Sequence, residues 1–142
     1  MRQKLKFIWL ISFIVGLFSI TVFAEGANGN SANNISDPLK TIIVKKTAPY
    51  FTLTLQSNPT TGFTWSLKSY DSSIVVPISR KFYPPQVKKL IGAGGTEKWV
   101  FKVKPEGFVV PQTTSVVLIY ARYSDQQGAN AVNFKVVTVD GN

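Results

Sequence analysis

The chain has 142 residues, sixteen basic and seven acidic side chains, a formal charge of +9, and neither cysteine nor histidine. Those two absences exclude a Ser-His-Asp triad, a cysteine nucleophile, and any zinc site built on imidazole or thiolate. They also leave stability to packing alone, with no disulfide to help.

The first element reads as an export signal over residues 1–24. Arg2, Lys4 and Lys6 form a positive head, and Phe7 to Phe18 is an apolar run broken only by Ser12 and Gly16. Val22-Phe23-Ala24 then supplies the cleavage site, with the cut expected after Ala24 in preference to an uncleaved anchor. Removal leaves thirteen basic against seven acidic side chains, +6, on a chain long enough for one domain with a real core. Residues 25–38, rich in Gly, Asn, Ser and Ala, read as a flexible leader. The remaining basic residues are dispersed, and Lys45-Lys46, Arg80-Lys81 and Lys88-Lys89 are the only adjacent pairs. That pattern is a solvated surface, so neither nucleic acid nor, after signal removal, a membrane is expected as partner.

From Pro38 onward the apolar period is two. Phe51, Leu53 and Leu55 alternate with Thr52, Thr54 and Gln56; Phe63, Trp65 and Leu67 alternate with Thr64, Ser66 and Lys68. Trp99, Phe101 and Val103 alternate with Lys98, Lys102 and Lys104, broken only by Val100, while Ser115 to Tyr120 is apolar on both faces after its first residue, as a central strand should be. Strands are expected near 41–46 and over 50–57, 63–68, 78–84, 96–104, 114–122 and 131–139, with a short edge piece at Ile74 to Val76. No segment carries a useful helical period. This spacing makes residues 39–142 an all-β domain: an immunoglobulin-like β-sandwich of about seven to eight strands with no disulfide. Trp65, Trp99, Phe51 and Phe101 belong to its core, and Phe63 to its boundary.

In such a sandwich alternate connections emerge at one end, here those over 58–62, 85–95 and 123–130. The first contains Asn58-Pro59-Thr60-Thr61-Gly62-Phe63. Pro59 fixes its own φ and keeps Asn58 extended, and Gly62 can take angles closed to other residues. A segment this stiff can enter a partner with little loss of conformational entropy. A plain hairpin turn would need neither threonine at its tip. The second connection carries Lys88, Lys89 and Gly92-Ala93-Gly94-Gly95-Thr96, which alone reads as an unpartnered flexible loop. The third follows Leu118-Ile119-Tyr120-Ala121-Arg122, where Arg122 reads equally well as a solvated strand end.

These three segments together resemble the chagasin family of cysteine peptidase inhibitors, in order, spacing and loop position, over about residues 39 to 139. The resemblance implies three polar loops that plug the active-site cleft of papain-like enzymes. Carried over, Asn58, Pro59, Thr60, Thr61, Gly62 and Phe63 approach the catalytic residues, and Gly92, Ala93, Gly94, Gly95 and Thr96 lie along the cleft. Arg122, Tyr123 and Ser124 meet its opposite wall. There the chain departs from the family's Arg-Pro-aromatic pattern, with Tyr123 in place of proline, Ser124 in place of the aromatic, and Asp125 following.

The sequence thus points to an exported, reversible, tight-binding inhibitor of papain-like cysteine peptidases, monomeric and with no cofactor or metal. It is periplasmic or secreted, and not an enzyme. The alternative is a non-inhibitory immunoglobulin-like module that binds a glycan or a cell-envelope protein through the same pole. A hydrolase is disfavoured because the carboxylates are scattered and no Ser-x-x-Lys sits in a suitable context.

Overall fold

The computed structural model describes residues 34–86 and 92–141, except the side chains of residues 125–128. The expected export signal (1–24), most of the expected leader, and Lys88 and Lys89 lie outside the described residues. Eight strands are formed: β1 (Asn34–Ile35), β2 (Ile42–Lys45), β3 (Tyr50–Ser57), β4 (Phe63–Tyr70), β5 (Val75–Tyr83), β6 (Gly95–Val103), β7 (Gln112–Arg122) and β8 (Asp125–Val139). They make two four-stranded sheets, ordered β1-β3-β6-β5 and β2-β8-β7-β4.

Alternation decides which side of each strand is buried. On the first sheet, Phe51 lies opposite Phe101 and Leu53 opposite Trp99. The two phenylalanine rings stack at 5.1 Å between centroids. The second sheet answers with Ile42, Val44, Trp65, Val116, Leu118, Phe134 and Val136, all buried. Each such side chain contributes about 1.5–3 kcal/mol by leaving water, which is how a chain without cysteine holds together. β7, apolar on both faces, lies between β8 and β4 as expected of a central strand.

The structure differs from the sequence reading in three places. Asn34 and Ile35, placed by composition in the leader, form a short strand paired in parallel with β3, and the Thr54 hydroxyl donates to Asn34 Oδ1. The expected edge piece and the strand at 78–84 are one strand, β5, with an irregularity between Pro77 and Ser79. Pro77 is tolerated because β5 is an edge strand and needs no outward N–H. Finally, the third connection is not a loop over 123–130: β8 begins at Asp125, so only Tyr123 and Ser124 join it to β7. The slack is taken up inside the ladder, where register shifts between the Tyr120–Asn130 and Arg122–Asp125 pairs.

Register brings three connections to one end of the sandwich. Ser57 pairs with Gly95, Tyr83 with Thr96, and Phe63 with Arg122. The connections β3–β4, β5–β6 and β7–β8 therefore share a pole, as the sequence topology requires.

Candidate functional site

The β3–β4 connection is a single 3-10 turn over Pro59–Thr61. Proline suits its first position, where an N–H would have no partner within the turn. Gly62 ends the turn at φ +78, in the left-handed region, and its N–H donates to Pro59 O at 3.0 Å. A side chain there would meet no neighbour within 4 Å, so the backbone angle alone demands glycine.

Asn58 organises this turn. Its carbonyl accepts from the Thr61 N–H at 3.1 Å and from the Thr61 hydroxyl at 2.6 Å. Its Oδ1 accepts from the Thr60 hydroxyl at 2.6 Å, and its Nδ2 donates to Gly92 O at 2.9 Å, tying the first connection to the second. Its own N–H donates to the Tyr120 hydroxyl at 2.8 Å. Thr60 and Thr61 are exposed at the tip, with both hydroxyls engaged inside the turn. The result is a wedge whose shape is set before any partner arrives.

The described end of the second connection, Gly92 to Gly94, packs against the first. Gly92 takes φ +81, and a Cβ on Gly94 would lie 3.2 Å from Ser57 O and 3.5 Å from Asn58 Cβ. Gly92 and Gly94 are exposed and Ala93 half-buried at the pole, whereas Gly95 is buried as the first residue of β6. A Cβ on Gly95 would stand 2.3 Å from Tyr83 O and 2.7 Å from Phe82 Cζ. Gly95 thus lets two strands converge, and Thr96 beside it is a half-buried ladder residue.

At the third connection the Arg122 guanidinium lies over the Phe63 ring at 4.9 Å, and Phe63 stacks on Tyr120 at 5.4 Å. Tyr120 also meets Trp65 at 4.9 Å, which roots the stack in the core. Phe63 is therefore half-buried support, and Arg122 is its exposed cap. Tyr123, 95% exposed, forms the tip of the turn beside exposed Ser124. Removing its ring disturbs no packing, so Tyr123→Ala should leave the melting temperature unchanged. It should weaken binding of a partner at this pole about fivefold, the effect of losing about 1 kcal/mol of aromatic contact.

All fourteen residues singled out from the sequence lie at this pole, but they divide into a displayed set and a supporting set. Pro59, Thr60, Thr61, Gly62, Gly92, Gly94, Arg122, Tyr123 and Ser124 are exposed, while the buried or half-buried Asn58, Phe63, Ala93, Gly95 and Thr96 hold them in place. Sequence reasoning missed Tyr120 as the anchor of Asn58. It also missed Arg80 and Glu97, an ion pair just beneath the pole. The available signal was phase, since Glu97 falls in step with buried Trp99, Phe101 and Val103.

A family model described as "Chagasin family peptidase inhibitor I42" matches residues 46–138, a span that includes all three connections. Chagasin of Trypanosoma cruzi is 40% identical over 72 residues, a match covering 48% of this chain and 60% of that protein. Among solved structures, the cysteine protease inhibitor EhICP2 of Entamoeba histolytica superposes with a TM-score of 0.51 at 16% identity. That match covers 69% of this chain and 95% of that one. Amebosin superposes with a TM-score of 0.57 at 20% identity, covering 75% of this chain and 96% of its own. At such identities the two structures speak for the fold alone, and the family rests on the model's match over residues 46–138. The chain belongs to the chagasin family of peptidase inhibitors.

Proposed function

We propose that this protein is an exported, reversible, tight-binding inhibitor of papain-like cysteine peptidases, acting as a monomer in the periplasm or outside the cell. The observation that carries this reading is the wedge at 58–62, stiffened by Pro59 and Gly62, organised by Asn58 and tied to the second connection through Gly92. Thr60, Thr61 and Gly62 enter the cleft and fill the space beside the nucleophile. A 3-10 turn does not present an extended peptide with an accessible scissile carbonyl, so occlusion needs no cleavage. The Gly92–Gly94 segment and the Arg122–Ser124 turn flank the wedge and meet the walls of the cleft. Export rests on the charged head, the apolar run and the Ala24 site read from residues 1–24.

The test is titration of the purified protein against active-site-titrated papain and a cathepsin L-like enzyme, with trypsin as control. Stoichiometric loss of cysteine-peptidase activity with trypsin untouched is the expected result. No inhibition at micromolar concentration by a folded sample would overturn it and leave the glycan or envelope-binding module in its place. Thr61→Arg places a long charged side chain on the exposed tip of the wedge. It should weaken inhibition at least tenfold, about 1.4 kcal/mol or more, while loss of the hydroxyl's bond to Asn58 O lowers the melting temperature by only about 5 °C.

A further inference from the structure

Glu97 is 2% exposed, on the inward face of β6 beside the core. Its Oε1 accepts from Arg80 Nε at 2.5 Å and from Trp99 Nε1 at 2.8 Å, and its Oε2 accepts from the Ser57 hydroxyl at 3.3 Å. Arg80 lies over the Trp99 ring at 5.0 Å, and its Nη2 donates to the Thr64 hydroxyl at 2.5 Å. Only one partner of the pair is buried, the Glu97 side chain being 3% and the Arg80 side chain 43% exposed, and the desolvation of that one carboxylate already offsets much of the attraction. What this pair supplies is connectivity. Ser57 ends β3 and leads into the wedge, while Thr64 lies just after it on β4. Arg80 lies on β5, before the second connection, and Glu97 on β6, just after it. The four strands that flank the first two connections thus meet in one hydrogen-bonded cluster.

The cluster also joins the two sheets. Glu97, Ser57 and Arg80 belong to β1-β3-β6-β5, and Thr64 to β2-β8-β7-β4. Because the wedge itself crosses from β3 to β4, its aim depends on how the two sheets sit at this end. Trp65 Nε1, donating to Gln56 O at 2.8 Å, adds a second cross-sheet bond, this one from β4 to β3. We propose that Glu97 and Arg80 are positioning residues, an inter-sheet clamp that fixes the geometry of the wedge and the second connection without touching the partner. The clamp's effect on inhibition rests on the function proposed above; its effect on loop order does not.

The experiment therefore reads both, on the full chain as its host processes it. The doubly substituted Glu97→Gln, Arg80→Met variant keeps approximate volume and removes both charges. Amide hydrogen exchange is followed at Asn58, Thr61 and Gly62, whose N–H groups are bonded within or just behind the wedge, and at Leu118 and Phe134 in the core. The expected result is exchange at least tenfold faster at the three wedge amides, with core amides changed less than twofold, and inhibition of papain weakened about tenfold. Unchanged wedge exchange, or a uniform acceleration at all five positions, would overturn the clamp. If the double variant does not fold, Thr64→Val and Arg80→Lys decide the matter. Each should loosen the wedge amides about threefold while sparing the core, and the absence of that contrast would equally sink the proposal. A wild-type protein that does not inhibit papain removes the proposed function but leaves the exchange comparison to decide the clamp.

Discussion

Asn58→Ala should weaken inhibition of papain about thirtyfold. The substitution deletes two side-chain bonds, from Nδ2 to Gly92 O and to Oδ1 from the Thr60 hydroxyl, while leaving the backbone bonds of the turn intact. Each is worth about 1 kcal/mol, and the sum of about 2 kcal/mol corresponds to roughly that factor in affinity. Asn58 lies behind the tip, so the loss reflects disorder of the wedge and of its link to the second connection more than a lost contact. The same loss from the free protein should lower the melting temperature by no more than roughly 10 °C. Inhibition constants measured beside thermal unfolding check the two figures together. A thirtyfold loss matched by a large fall in melting temperature would mean that Asn58 supports the whole domain instead.

The reverse pattern is expected for Gly95→Ala. Its Cβ has no room between Tyr83 O and the Phe82 ring, and backbone cannot move aside as a flexible side-chain end can. Overpacking of this kind costs about 3 kcal/mol, which lowers the melting temperature of a domain this size by roughly 15 °C. Thermal unfolding by circular dichroism measures it directly. The resemblance placed Gly95 along the cleft with its neighbours; were it only a contact residue, stability would stay put and inhibition alone would suffer. Burial at the β5–β6 convergence assigns it to the frame.

These two residues show what could and could not be taken from the chain. β3 was legible to the residue, because Phe51, Leu53 and Leu55 alternate without a break and Pro59 closes the run. The shared pole followed from strand order, and the displayed residues from turn chemistry and the family pattern. The roles inside that group were not legible, since Gly92 and Gly95 look alike in sequence. One sits in open space at positive φ and the other under a carbonyl. Glu97 was hidden for a different reason: a charge among lysines reads as surface, and only the neighbouring strand reveals that Arg80 neutralises it. The start of β8 was missed because residues 125–130 carry no alternation, so nothing local marks them as strand. β1 is too short to show a period at all.

The parallel pairing of β2 with β8, Ile42 beside Val136 and Lys45 beside Val139, has a consequence in time. β2 finds its partner only when every intervening strand is available, a contact of long sequence separation that is slow to close. In chain order β8 follows every other strand of the two sheets. Until then the second sheet lacks both its edge and its neighbour, and the early strands have no finished core to lock them. A chain that stays unlocked until β8 has been made can still be threaded through a narrow pore, the state that the export proposed above would require.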